Sequence, residues 1–254
     1  EPSKNWITVR FSELWFYREL LFFLAWRDIQ IRYKQTVLGF AWAILQPFMM
    51  MVVFSLFFGT LAGLDSEGIP YPLFNYAAML PWTFFENSIH VSTSSLVANA
   101  NMITKVYFPR LILPTSAVLA AAVDFGVAFV VLIGMMLYYG IVPGIAILTI
   151  PLFLLLAFMT ALGVSLWLAA INVKYRDVRY TIPFLVQFWL FATPVAYPSS
   201  MLPEQLRALY GLNPMAGVVE GFRWALLDNQ HAPGATILVS AAVVLVVFVG
   251  GLFY

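Results

Sequence analysis

Cysteine and charge are both scarce in this 254-residue chain. The absence of cysteine excludes disulfides, thiol nucleophiles and metal sites with thiolate ligands. Only 10% of the residues are charged and 62% are hydrophobic, whereas a soluble domain has about 25% charged and about 45–50% apolar residues. The composition therefore predicts a membrane protein.

The sequence also lacks the common signatures of an enzyme. No Gly-Lys dipeptide occurs, so a P-loop for nucleotide hydrolysis is excluded. We find no G-x-S-x-G or H-E-x-x-H motif, and the two histidines do not belong to a cluster with metal-ligand spacing. We expect a chain that is not an enzyme and that holds no cofactor or metal of its own.

Long apolar runs are what the sequence has in abundance. A membrane helix needs about 20 mostly apolar residues. The second run contains Glu86, Asn87 and His90, so we expect that face to be turned away from lipid. The sequence predicts an all-α membrane protein with six spans, numbered one to six, at roughly 38–62, 72–97, 112–139, 145–171, 181–198 and 235–254.

The distribution of basic residues orients these spans. Cytoplasmic segments beside membrane helices carry an excess of Lys and Arg. Segments 1–37, 98–111 and 172–180 hold 11 of the 13 basic residues, and the opposite side holds only Arg207 and Arg223. This bias predicts that both chain termini and these three segments are cytoplasmic.

Two segments outside the spans also have helical patterns. Residues 10–35 join a short apolar stretch to a basic end, which favours an amphipathic helix at the membrane interface over a simple basic flank. Gly39 is expected to form the turn into span one, giving an N-terminal segment 1–37 and a transmembrane domain 38–254. Segment 199–234 predicts two short helices, which either re-enter the outer leaflet or form a surface loop.

Three ionisable residues lie inside predicted spans. Glu86 and His90 are four residues apart and can pair on one helix face, and Asp124 lies in span three. These residues are consistent with a proton relay or a site for a polar substrate, but the absence of a further acid or histidine nearby in the sequence favours polar contacts that hold helices together. The sequence leaves their roles open.

Aromatic residues lie in the middle of two spans. Sugar rings can stack on such side chains, although packing against lipid or core is the more common role. The candidates for a stacking surface are Phe40, Trp42 and Phe48 in span one and Phe188, Trp189 and Phe191 in span five.

Five stretches in order along the chain resemble one family. They are "RDIQIRYKQTVLGFAWAILQP" (27–47), "NMITKVYFPRLILP" (101–114), "INVKYRDVRY" (171–180), "FATPVAYP" (191–198) and "LYGLNPMAGVVEGFRWALL" (209–227). In these stretches the chain resembles the membrane subunit of ABC-2-type exporters, in the branch that moves O-antigen, teichoic acid and similar polysaccharides.

The resemblance implies a fold and a set of partners. It implies a six-helix subunit with an interface helix and two short re-entrant helices before the last span. Its expected partners are a second copy of itself, two ATPase subunits that bind ATP and Mg²⁺, a lipid-linked polysaccharide and membrane lipid, with no nucleic acid. The expected location is the bacterial inner membrane.

The resemblance also implies three groups of functional residues. Contacts with the ATPase are expected from Asn101, Lys105, Tyr107, Arg110, Lys174, Tyr175, Arg176, Asp177 and Arg179. Entry of the lipid-linked head group is expected at Arg27, Arg32, Lys34, Leu38 and Gly39, although the three basic residues also suit plain positive-inside topology. The six mid-span aromatics resemble the wall of a translocation path.

Three other functions remain open from the sequence alone. An exporter of the same class carrying a lipid or a drug is one. A proton-coupled transporter that uses Glu86, His90 and Asp124 is another, and a membrane scaffold without transport activity is the third.

Overall fold

The computed structural model describes residues 11–34, 39, 41–201, 203, 209–227 and 234–253. Within these ranges the chain is helical and contains no strand. The helices are α1 (Phe11–Phe16), α2 (Arg18–Lys34), α3 (Ala41–Phe54), α4 (Tyr71–Ala98), α5 (Ala100–Lys105), α6 (Ile112–Tyr139), α7 (Ile150–Lys174), α8 (Val178–Phe191), α9 (Pro214–Leu227) and α10 (Gly234–Phe253). This confirms the all-α class.

Among the residues that the structure describes, four helical segments are long and apolar enough to cross a membrane. They are Ala41–Leu61, Ile112–Tyr139, Ile145–Lys174 and Thr236–Phe253, which match predicted spans one, three, four and six. The first combines α3 with a π-helical continuation, Ser55–Leu61, and the third begins with a 3₁₀ turn, Ile145–Thr149.

Helix α4 forms the centre of the bundle. It packs against α3, α6, α7, α8 and α9, and its residues from Leu73 to Trp82 are almost all buried. Its buried hydroxyls bond within the protein: Ser92 donates to the carbonyl of Pro114 at 3.2 Å, and Tyr76 donates to that of Ala128 at 3.2 Å. These two hydroxyls therefore meet another helix, whereas Glu86, Asn87 and His90, whose face the sequence predicts to be turned away from lipid, are partly exposed.

Helix α8 is shorter than the run predicted for span five. The apolar run reaches residue 198, but the helix ends at Phe191 and a turn follows. Proline disfavours the helical conformation of the residue before it, and Pro194 and Pro198 both lie in this turn. Fourteen residues extend about 21 Å, which is short for a membrane span.

Helix α9 is buried on nearly every side. It packs against α4, α7 and α10, and only Trp224 among its residues is partly exposed. Close packing depends on two glycines, because a Cβ at Gly217 would lie 2.6 Å from the Cβ of Ser240 and a Cβ at Gly221 would enter the ring of Phe153. Small residues four apart let helices approach closely, which explains how this short helix fits among longer ones.

Candidate functional site

Two loops rich in exposed side chains lie at one end of the bundle. The first includes α5, and the second joins α7 to α8. Asn172, at the end of α7, donates to the carbonyl of Thr93 at 2.9 Å, so the second loop begins beside the last turns of α4, from which the first emerges. The nine residues predicted to contact an ATPase are all exposed: Asn101, Lys105, Tyr107, Arg110, Lys174, Tyr175, Arg176, Asp177 and Arg179.

The buried side of the α5 loop packs on α2. A small apolar cluster, defined by Leu24, Phe108, Ile112 and Leu113, is buried here and separate from the main core. Met102 and Ile103 of α5 and several α2 side chains pack against this α2–α5 cluster. The cluster joins the N-terminal helix to the loop that follows α4, a connection that no local sequence pattern indicated.

The predicted head-group residues have different surroundings. Arg27 bonds Asp28 at 2.8 Å and the side-chain oxygen of Asn99 at 3.3 Å, so its guanidinium is held at the start of the α5 loop. Lys34 is exposed at the end of α2. Gly39 has a φ of +47°, a left-handed conformation that favours glycine, which agrees with the predicted turn. Leu38 lies outside the described residues.

Arg32 forms an ion pair with Asp124 of α6. The two residues are 92 positions apart, and the Asp124 side chain is 11% exposed. Burial lowers the pKa of Arg32, and the nearby charge of Asp28 opposes that shift. Because an arginine remains protonated in proteins, the pair places a full positive charge beside a largely buried carboxyl group.

A cavity of about 270 Å³ adjoins this ion pair. It lies between the end of α2, the start of α3 and the middle of α4 and α6. Its lining is largely apolar, with charged, amide and hydroxyl groups among aromatic and small side chains: Arg32, Tyr33, Gly39, Trp42, Ala43, Gln46, Pro47, Thr83, Phe84, Asn87, Ala121, Asp124, Phe125 and Ala128. The second oxygen of Asp124, Oδ1, is buried and has no hydrogen-bond partner within the described part of the chain.

Glu86 and His90 form the pair that their spacing predicted. The Nε2 atom of His90 lies 3.9 Å from a carboxylate oxygen of Glu86, and both side chains are partly exposed. His90, Thr93 and Ser94 of α4 line a shallow groove with Arg179 and Tyr180, at the start of α8. The pair is therefore separate from Asp124, which is bonded to Arg32 instead.

The predicted aromatic wall divides into two sets. Trp42, Phe48, Phe188 and Phe191 are between 39% and 60% exposed, whereas Phe40 lies outside the described residues. Trp189 packs edge-on to Phe85 at 5.0 Å and donates to Asn213 at 2.9 Å, so its ring belongs to the bundle interior. Phe54 and Phe191 stack at 6.5 Å, which brings α3 and α8 together along one face.

Arg223 of α9 is the buried charge that the sequence reasoning missed. It is 3% exposed and donates to the carbonyls of Pro194 and Val195 at 2.9 and 3.0 Å. Its guanidinium lies 3.6 Å from the ring centroid of Phe74. Burial lowers the pKa of Arg223 to about 10, and the charge of Glu220 opposes that effect. The spacing of Glu220 and Arg223, three residues apart in a short apolar helix, is the signal by which these charges could have been found.

The chain is similar in sequence to known membrane transporters. The ABC-2 type transporter family model matches residues 19–227. The O-antigen export system permease protein RfbA of Myxococcus xanthus is 34% identical over 92% of this chain and 90% of its own length. An RfbA of Klebsiella pneumoniae is 28% identical over 83% of this chain and 81% of its own.

A more distant relative is the polysialic acid transport protein KpsM of Escherichia coli, 24% identical over 90% of this chain and 89% of its own length. The matches cover α2 to α9, and with them both exposed loops, the Arg32–Asp124 pair and the buried Arg223. The chain is a membrane subunit of the ABC-2 type transporter family.

Proposed function

We propose that this chain forms half of the transmembrane conduit of an ATP-driven exporter, which moves a lipid-linked polysaccharide across a bacterial inner membrane. The burial of α4 carries the proposal. Because the centre of a single chain is filled by side chains, a polymer path has to lie between two copies. A twofold pair is the commonest arrangement of identical subunits. The relatives named as O-antigen and polysialic acid transporters support the cargo.

Six spans follow if α4 and α8 are added to the four apolar ones. The 28 residues of α4 extend about 42 Å, enough to cross a bilayer, and its polar groups are sheltered by other helices. Helix α8 crosses together with the turn after it. Helix α9 then re-enters the outer leaflet, supported by its burial among α4, α7 and α10. Both termini and the two exposed loops are cytoplasmic, in keeping with the basic residues there.

The wall of the path is formed by the exposed faces of α3 and α8. Trp42, Phe48, Phe188 and Phe191 supply aromatic surface on which sugar rings slide by stacking. Trp189 is not part of this wall, since it is held inside the bundle by Phe85 and Asn213.

The two exposed loops dock two ATPase subunits. This chain has no P-loop, so ATP and Mg²⁺ are bound by the partners. The α5 loop meets the partner through Asn101, Lys105, Tyr107 and Arg110, and its buried side transmits force into α2 through the α2–α5 cluster. The loop between α7 and α8 continues into α8, so a movement of this loop shifts Phe188 and Phe191 directly.

The head group of the lipid-linked substrate enters at the end of α2. Arg32 and Lys34 attract its phosphates, the Gly39 turn provides a backbone that bends beside them, and Arg27 steadies the adjoining loop through Asn99. Guanidinium groups suit phosphate because they offer two parallel donors.

Reconstitution with the ATPase tests this function. Proteoliposomes that contain both subunits are expected to move a fluorescent lipid-linked glycan only with ATP, and not with a catalytically inactive ATPase. Neutralising Arg27, Arg32 and Lys34 together is expected to abolish transport, whereas Arg18→Gln on the same helix serves as the control.

The same assay separates the rival functions. Transport of the glycan under a proton gradient without the ATPase indicates a secondary transporter and refutes the proposal. Transport of a glycan-free lipid or a drug at an equal rate assigns another cargo. ATPase stimulation without any transport indicates a scaffold.

A further inference from the structure

We propose that the cavity beside the Arg32–Asp124 ion pair is a binding site for the first sugar of the substrate, joined to its phosphate. Arg32 takes the phosphate and Asp124 accepts a hydrogen bond from the adjacent sugar ring. The ligand class is a pyranosyl phosphate or diphosphate. This inference rests on the proposed function, because it assumes a substrate that links sugar to lipid through phosphate.

The Arg32–Asp124 pair lies inside the bundle, far from the end at which α6 begins. Helix α2 packs along α6, with Leu24 beside Ile112 and Leu113 near one end and Arg32 beside Asp124 further along. Asp124 is 12 residues into α6, about 18 Å along the helix from its cytoplasmic end. A carboxylate this deep is costly, and such residues usually mark a substrate site or a structural pair.

The unsatisfied oxygen distinguishes between these two roles. Asp124 Oδ2 meets Arg32, whereas Oδ1 is buried and has no hydrogen-bond partner among the residues that the structure describes. In a structural pair both oxygens usually have partners, because an unpaired buried acceptor costs free energy. Oδ1 is buried beside the cavity, so a ligand whose phosphate displaces the carboxylate from Arg32 can bring a donor to it.

The lining of the cavity matches a sugar ring. The amide of Asn87 and the hydroxyl of Thr83 lie on the α4 side, and the ring of Trp42 lies on the α3 side. Carboxylate, amide and an aromatic face are the groups that bind hydroxyls and the apolar face of a pyranose. The volume of about 270 Å³ is below the range of about 300–1,000 Å³ for drug-sized pockets, so it suits one ring rather than several.

Each residue of the pair suits one part of the ligand, Arg32 the phosphate and Asp124 the sugar that is bonded to it. The guanidinium of Arg32 prefers phosphate oxygens, which accept two parallel N–H donors. In a pyranosyl phosphate the substituent at C2 is close to the phosphate, and whether hydroxyl or amide it carries a donor for Asp124. In the substrate-free chain, Asp124 occupies the position on Arg32 that a phosphate takes.

A pair of lipid probes that differ only in the sugar tests the site. The full chain, assembled with its ATPase in lipid nanodiscs, is titrated with farnesyl diphosphate and with farnesyl diphosphoryl-N-acetylglucosamine. Wild type is expected to bind the sugar-bearing probe about tenfold more tightly, the effect of one good hydrogen bond to a charged group. Asp124→Asn is expected to remove that preference while leaving farnesyl diphosphate bound as well as before or better.

Two further variants separate binding from folding. Trp42→Ala, at an exposed position, is expected to weaken only the sugar-bearing probe. The exchange Arg32→Asp with Asp124→Arg restores opposite charges, so it is expected to restore thermal stability but not the preference for sugar. Recovery of that preference in the exchanged protein overturns the proposal.

The outcomes also distinguish this inference from the function on which it rests. Equal binding of both probes to wild type, with export intact, overturns the sugar site alone. Failure of both probes to bind, together with loss of any ATP-dependent transport, overturns the proposed function as well. A uniform loss of affinity for both probes in Asp124→Asn identifies the pair as a structural tie between α2 and α6 and overturns the site.

Discussion

Replacing Arg223 with alanine is expected to destabilise the protein severely. The side chain donates hydrogen bonds to the carbonyls of Pro194 and Val195 and covers the ring of Phe74. Its removal leaves two carbonyls without these donors and deprives the buried carboxyl of Glu220 of a nearby cation. The turn after α8 thereby loses its attachment to α9.

The magnitude follows from these contacts. Each hydrogen bond from a charged donor is worth about 1.5–3 kcal/mol, and removing one partner of a buried charged pair costs about 3–5 kcal/mol. We therefore expect a loss of about 3–5 kcal/mol in the free energy of unfolding. For a chain of this size, that corresponds to a fall in Tm of roughly 6–20 °C. Arg223→Lys keeps the positive charge but loses the planar guanidinium with its several N–H donors. Its Tm is therefore expected to lie between those of wild type and Arg223→Ala.

Thermal unfolding of the purified protein in nanodiscs measures the effect. Arg110→Ala is the matched control, because this arginine is exposed and surface substitutions usually change stability by less than about 0.5 kcal/mol. A Tm for Arg223→Ala within the range of the control refutes the reasoning, since Arg223 would then contribute no more than an exposed arginine.

Three further predictions concern other parts of the chain. Asp177→Ala is expected to weaken ATP-driven export without affecting membrane insertion, since acids contribute little to orientation. Asp65→Ala serves as the control, and normal coupled export in Asp177→Ala shows that Asp177 does not contact the ATPase. Gly221→Ala is expected to lower stability by about 1–3 kcal/mol through overpacking, while Gly126→Ala, where a Cβ meets open space, is expected to be neutral or stabilising in the same unfolding assay. Phe108→Ala is expected to leave ATP hydrolysis in place but reduce export, measured as glycan moved per ATP; an unchanged ratio contradicts force transmission through the α2–α5 cluster.

The long elements were predictable because their signals are local. Four apolar runs became four candidate spans, and the run at 72–97 became α4, Tyr71–Ala98, with nearly the same bounds. Glu86 and His90 pair because their spacing on a helix brings them together. The turn at Gly39 was also predictable, since its conformation favours glycine.

The remaining features depend on contacts between distant segments. The pairing of Arg32 with Asp124 joins residues 92 positions apart, so neither neighbourhood indicates the other. Trp189 and Phe188 are neighbours in the same apolar run, and contacts with the distant Phe85 and Asn213 are what hold the Trp189 ring inside the bundle. The end of α8 at Phe191 is not marked by composition, because the apolar run continues through Pro194 although the helix does not.

The α2–α5 cluster has a consequence for constructing hybrid transporters. Its side chains come from two places, residues 14–24, which precede α3, and residues 96–113, which run from the end of α4 to the start of α6. A graft that transfers only the loop to a related permease would bring Phe108 and Met102 against a foreign helix. Partner choice is therefore expected to move between permeases when both segments are exchanged together, and to fail when either is exchanged alone.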